Sequence, residues 1–195
     1  MALDALRQPL ESGVIEVHRA GFTAAFPARF QLLLAMNPCP CGNHGVRGAE
    51  CICPPMAIRR YSTRLSGPLR DRIDIDLQVS RVGASRAAGA DGATTTGEAR
   101  TRVGAARARA AQRWRGTPWR RNAEVPGTWL RQGALRLPAA ARAPLDRALE
   151  RGALTLRGYD RVLRVAWTMA DLAENERPGL EEIGRALHLR RGQPR

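Results

Sequence analysis

Four cysteines fall in two pairs, Cys39-Pro-Cys41 and Cys51-Ile-Cys53, separated by nine residues, several of them glycine. Thiolates are soft ligands, and a loop flexible enough to fold the pairs together would offer four sulfurs to one tetrahedral ion, the coordination zinc takes in structural sites. A single intervening residue strains chelation of one ion by both members of a pair, so the spacing is less diagnostic than C-x-x-C. His44 offers a nitrogen that could replace one sulfur, and the alternative is a thiol-bearing loop without metal. No basic segment followed by an apolar core opens the sequence, so it reads as lacking a secretory signal and as cytoplasmic. In a reducing compartment, metal ligation or free thiols come ahead of disulfides.

Two polar residues stand where strands meet loops. Leu32 to Met36 is a continuous apolar run, the pattern of a strand covered on both faces in a parallel sheet. Asn37 follows at its carboxyl end, where open α/β sheets place ligand-contacting groups, and Pro38 blocks further ladder pairing. Asn37 could equally cap a turn. Arg72 lies in Ser66-Gly-Pro-Leu-Arg-Asp-Arg-Ile-Asp74, a turn feeding the alternating run Ile73 to Val79, which reads as a second strand. A guanidinium there is expected to be held rigidly and aimed outward; the alternative is an ion pair with Asp71 or Asp74.

The elements that would carry these residues follow from periodicity. Leu3, Leu6 and Leu10 share a face of a short helix that Gly13 can end, Val14 to Val17 is a brief strand, and Gly21 to Ala28 is a loop or edge hairpin. Ile58, Tyr61 and Leu65 mark a helix over Met56 to Leu65. Residues 83–97 are rich in Gly, Ala, Ser and Thr and read as a linker. Thr95 and Glu98 form a capping box for a helix reaching about Trp114. Pro144 is expected in the first turn of a helix through Leu145 and Leu149 to Gly152. Tyr159, Val162, Leu163, Ala166, Met169, Ala170 and Ala173 mark one face of another, and Leu180, Ile183 and Leu187 a last one.

The 195 residues are 44% apolar, enough for a packed core. All 32 basic residues are arginine, and without lysine no G-x-x-x-x-G-K-[ST] phosphate loop exists in the sequence. A net charge of +14 favours a polyanion, nucleic acid before membrane, and no segment approaches the ~18 to 20 apolar residues of a transmembrane helix. Between Arg100 and Arg121 lie eight arginines and no acid, interleaved with Trp114 and Trp119. Arg113, Arg115, Arg120 and Arg121 are the candidate phosphate contacts and the indoles candidate stacking groups, set against a merely solvated helix face.

Three runs in this order, Leu6-Arg-Gln-Pro-Leu-Glu-Ser-Gly13, Ala35-Met-Asn-Pro-Cys-Pro-Cys-Gly42 and Ser66-Gly-Pro-Leu-Arg-Asp-Arg-Ile-Asp74, resemble the magnesium-chelatase-like AAA+ ATPases, and among them the ComM/YifB type. The run from Leu156 to Leu172 extends the resemblance over nearly the whole chain. It implies an α/β plus α fold: residues 1–82 as the C-terminal part of an AAA+ P-loop NTPase core with a cysteine-rich loop at 38–55, then the linker, then a helical lid at 98–195, the Mg-chelatase C-terminal domain. It implies Asn37 as the sensor-1 residue that orients water or contacts the γ-phosphate, Arg72 as the arginine finger reaching a neighbouring subunit, and Arg157 as the sensor-2 arginine.

The resemblance further implies ATP and Mg2+ as cofactors of the complete module, with zinc at the cysteines where they bind metal. The complete protein would be a homo-oligomeric ring, a hexamer, acting on DNA as a branch-migration helicase in recombination and natural transformation, with no membrane partner. The alternatives are a chelatase-type remodeller of a protein or metallocofactor partner and a non-catalytic remnant. With neither Walker A nor Walker B among its residues, the chain is expected to be inactive as an ATP hydrolase by itself, whether as a truncated product, a misassigned start or a split protein. Arg70 replaces the family's usual leucine, Thr155 its serine and Trp167 an arginine.

Overall fold

Leu3, Leu6 and Leu10 begin the chain as a 3-10 turn, Ala2–Leu6, passing into helix α1, Arg7–Ser12. Gly13 stops it in the left-handed region (φ 70°) and donates its N–H to the Pro9 carbonyl. The computed structural model describes residues 2–79 and 94–191. They divide into a first unit ending at Ile73 and a second beginning at Asp74. Positions 83–93 of the expected linker lie outside the described residues.

In the first unit, β1 (Val14–Arg19) and β2 (Phe22–Pro27) pair antiparallel, with Arg19 opposite Phe22. The two residues between them make a tight turn that Gly21 permits at φ 75°. Residues 28–54 contain neither helix nor strand. Helix α2 (Pro55–Ser62) starts on consecutive prolines, whose fixed φ suits a first turn, and stops short of Leu65. The single turn α3 (Gly67–Arg70) is capped by the Ser66 hydroxyl, which accepts the Leu69 N–H at 3.3 Å, and it buries Leu69 completely.

The two expected strands, over Leu32 to Met36 and Ile73 to Val79, are not formed. Leu33 is 83% exposed and Val79 89%. A strand needs a neighbour for its ladder, and among the described residues the sheet consists of β1 and β2 alone. Residues 74–79 find other partners within the second unit: Asp76 donates its N–H to the Leu189 carbonyl at 2.7 Å, and Asp74 accepts from Arg161 Nη1 at 2.6 Å.

The second unit is helical. The expected capping box opens α4 (Thr96–Arg113): the Thr95 hydroxyl accepts the Glu98 N–H at 3.2 Å and Glu98 Oε2 accepts the Thr95 N–H at 2.8 Å. Ala106, Ala110 and Trp114 recur every four residues along its buried side. Helix α5 (Gly127–Gln132) begins against Asp160, whose carboxylate occupies the space a Cβ at position 127 would need and also pairs with Arg131. Helix α6 (Ala139–Glu150) starts after Pro138, so Pro144 lies inside it and not in its first turn. That proline leaves the carbonyl of exposed Ala140 without its helical N–H donor.

Helix α7 (Leu156–Leu172) is central, with Tyr159, Val162, Leu163, Ala166, Trp167 and Ala170 buried, and Thr155 accepting the Gly158 N–H at 3.0 Å as its cap. Helix α8 (Leu180–Arg191) buries Ile183 and Ala186. No helix among the described residues is long and apolar enough to cross a membrane.

Candidate functional site

The irregular backbone of residues 38–54 is what gathers the cysteines. Pro38 and Pro40 fix φ on either side of Cys39, and the Gly42 N–H donates to the Cys39 carbonyl at 3.0 Å with Gly42 at φ 82°. Asn43 closes the base of the loop by donating its side-chain N–H to the Glu50 carbonyl at 3.0 Å. Cys39 Sγ lies 3.4 Å from Cys41 Sγ and 3.7 Å from Cys51 Sγ, and Cys41 and Cys51 are 3.7 Å apart. With Cys53, all four sulfurs fall within 4.8 Å of one another, and all four are free thiols. A tetrahedron with metal–sulfur bonds of about 2.3 Å has edges of about 3.8 Å, so the sulfurs stand close to the vertices a single zinc ion requires. His44 serves through its backbone, donating its N–H to Cys39 Sγ at 3.3 Å, and its ring is outside the cluster.

The electrostatics fit the same donor set. Burial alone would raise the Cys39 thiol, but N–H donors from His44 and Asn43 and the neighbouring thiols bring it down to about 6. Cys53 moves the other way, to about 12: an N–H from Cys41 opposes the rise, but burial and the thiols of Cys41 and Cys39 outweigh it. One thiol is drawn down and another pushed up, the split that crowding of several sulfurs produces.

Asn37 immediately precedes this turn. It is exposed and, among the described residues, makes no hydrogen bond. Gly42 is a near neighbour of its carboxamide: a Cβ at position 42 would lie 3.9 Å from both Asn37 Cγ and Nδ2.

Arg72 is not aimed outward. Its Nε donates to Glu11 Oε2 at 3.1 Å, its Nη2 pairs with the same carboxylate, and its Nη1 donates to the Pro68 carbonyl at 2.8 Å. Asp74 turns instead to Arg161. Glu11, from the first of the three motif runs, was not expected as a partner. Nor was Asp4, which accepts from the Ser66 hydroxyl at 2.5 Å. These two interactions tie the start of the chain to the arginine loop at both ends. Arg157 stands exposed in the first turn of α7, in the second unit.

The basic stretch divides. Arg113 points inward to a bidentate pair with Asp171 and donates to Asn122 Oδ1 at 3.2 Å. Asn122 completes the network by donating to Asp171 Oδ2 at 2.8 Å and accepting from Trp114 Nε1 at 2.9 Å. The Arg113 guanidinium also lies 4.4 Å over the Trp167 ring. Arg113 is therefore withdrawn from any phosphate, and Trp114 is buried and unable to stack on a base. Trp167, standing where the family has arginine, meets Trp114 edge to face at 6.4 Å. Arg121 is held by Glu124, with Arg121 Nη2 to Glu124 Oε1 at 2.7 Å, while Arg115 and Arg120 are exposed. The sequence could have marked Asp171, an acid on the apolar helix opposite the arginine-rich one, as the inward partner.

Two family models match the chain in order: magnesium chelatase, subunit ChlI, over residues 1–87, and the C-terminal part of the same subunit over residues 93–190. An uncharacterized protein of Mycobacterium tuberculosis is 50% identical over 189 residues, which is 97% of this chain and 37% of the relative. Competence protein ComM of Haemophilus influenzae is 36% identical over 190 residues, covering 96% of this chain and 36% of that protein. YifB of Escherichia coli is 35% identical over 179 residues, covering 89% and 33%. The chain thus spans little more than a third of the length of the relatives it matches.

Proposed function

The chain belongs to the magnesium chelatase ChlI family, and from that membership we propose that it supplies the nucleotide-sensing loops and helical lid of a ring-forming, ATP-driven AAA+ motor acting on DNA in the cytoplasm. The observation that carries this reading is the colinear match of both family segments over nearly all of the chain. DNA branch migration in recombination by a complete, hexameric ring is the task this reading assigns, and one relative bears the name competence protein. Bound nucleotide with Mg2+ supplies the phosphoryl group that passes to water. Asn37 orients the attacking water, Arg72 offsets developing charge at the neighbouring subunit's site, and Arg157 does so within its own subunit. Glu11 and the Pro68 carbonyl hold the Arg72 guanidinium inward, so acting on a neighbouring subunit's nucleotide requires it to leave both partners.

Cys39, Cys41, Cys51 and Cys53 hold zinc, a choice supported by four soft donors at tetrahedral spacing. The DNA contact falls to Arg115, Arg120 and Arg121 within a chain of net charge +14. The inward turn of Arg113 and the burial of Trp114 favour a second reading, a chelatase-type remodeller of a protein or metallocofactor partner, because they shrink the expected strand-tracking surface.

Binding to branched DNA, measured as a function of salt, separates the two. A motor subunit loses affinity steeply between about 50 and 200 mM salt as counterions are released, and a remodeller binds no better than a neutral control. With no phosphate loop in its 195 residues, the chain alone should hydrolyse no ATP above background. Magnesium-dependent turnover that Arg72→Ala abolishes would overturn that part of the assignment.

A further inference from the structure

An amide that acts on a bound phosphate has to be held in one orientation, and Asn37 is poorly provided for by ordinary means. It lies on an irregular, exposed segment and makes no hydrogen bond among the described residues. What the structure gives it is the cysteine turn. Pro38 alone separates it from Cys39, whose sulfur is buried. Pro38 also confines the Asn37 backbone to extended conformations. The same turn then doubles back, closed by the Gly42 N–H on the Cys39 carbonyl, and makes Gly42 a near neighbour of the Asn37 carboxamide, since a Cβ at position 42 would lie 3.9 Å from its Cγ and Nδ2.

We propose that the four-cysteine centre sets the Asn37 side chain, so that metal occupancy determines whether this polar group is ordered. The inference rests on the zinc and AAA+ readings above. With a cation bound, Cys39 and Cys41 would both be held as ligands, and the Pro-Cys-Pro-Cys-Gly turn behind Asn37 would be confined with them. Without it, the thiols would have only weak S–H donors to hold them together. The turn is then free to open, and Gly42 leaves the amide. The centre is in this sense a positioning device for Asn37, and the ring would respond to zinc supply through it.

Nuclear magnetic resonance on the full 195-residue chain tests this. The probe is zinc itself, removed with a chelator and restored, with the bound equivalents measured in parallel. The expected result is that the Asn37 side-chain amide signals, a single sharp pair with zinc bound, shift or broaden on chelation and return with zinc. The backbone amides of Val14–Arg19 and the side-chain amides of Asn122 and Asn175 should stay in place. If zinc binds at one equivalent and the Asn37 signals do not respond, the coupling is wrong while the metal site stands. If the hairpin amides move together with Asn37, the metal merely supports the whole unit, and the proposal is overturned. If no zinc binds, the metal reading fails and this inference falls with it.

Discussion

In the helical unit, Trp114, Leu130, Leu145, Val162, Trp167 and Ile183 are fully or almost fully buried in one core, whereas in the first unit, among the described residues, the buried apolar side chains are Leu69, Cys39 and Pro9. The contrast does not come from composition, since Phe22, Phe26, Leu33, Met36 and Ile52 are as apolar as anything in the bundle and yet stand exposed. It comes from what each unit can pack against. Helices complete their own backbone hydrogen bonds and need only one covered face, while an apolar strand needs partners in the ladder and on both faces. The first unit is therefore held by polar ties, Asp4 to Ser66 and Glu11 to Arg72, and by a cluster of thiols.

The strongest way to break this contrast is to remove the zinc proposed at the four cysteines. Structural zinc contributes an apparent ~10 to 16 kcal/mol in small zinc-binding peptides. Chelation should disorder residues 37–54 while the thermal transition of the helical unit stays unchanged; hydrogen exchange read segment by segment checks both halves. A bundle that melted along with the loop would show that the two units depend on each other.

Next in size is the buried ion pair. Asp171→Ala leaves the Arg113 guanidinium, itself only 11% exposed, without its carboxylate. Breaking such a pair from one side costs about 3 to 5 kcal/mol, to be seen as an earlier urea midpoint for the helical unit and no change in zinc content.

The arginines give a smaller and more selective effect. Replacing Arg115, Arg120 and Arg121 with alanine should weaken DNA binding and flatten its dependence on log salt by about 0.9 for each phosphate that is no longer neutralised. Arg113→Ala should lower stability and leave that slope alone. Equal slopes for the two sets would place the DNA elsewhere.

The smallest effect concerns acid. Glu182 is pushed up by burial, but N–H donors from Gly179 and its own backbone and the Asn175 side chain bring it below its ordinary value of 4.5. A carboxyl whose folded pKa is depressed gives stability that is complete above the unfolded value and lost as pH falls through the folded one. The helical unit should therefore weaken below about pH 4.5, and Glu182→Gln should flatten that limb in denaturation curves taken at several pH values.

What could be read in the sequence follows the same divide. The helical elements announce themselves locally, through the Thr95 and Glu98 cap and the three-and-four spacing of Tyr159, Val162, Leu163 and Ala166. The cysteine pairs were equally legible, because chelation depends on short spacings that the chain itself displays. Pro144 misled because a proline is tolerated inside a helix where the carbonyl it strands is exposed. The run from Leu32 to Met36 has a strand's composition, yet a strand is a relation between segments, and no local pattern supplies the neighbour. Arg113 and Asp171 lie 58 positions apart, so their pairing leaves no periodic trace, and an arginine among seven others on one stretch looks like surface.

Gly127 has a consequence for heredity. Its missing side chain is the room in which the Asp160 carboxylate sits against the start of α5. Any other amino acid brings a Cβ into that volume and must push the Asp160 carboxylate aside, away from Arg131, so missense changes in this one codon should be damaging alleles. In a growth-based mutational scan, position 127 should be as intolerant as the buried core, and second-site suppressors should appear at Asp160, where a smaller side chain returns the space.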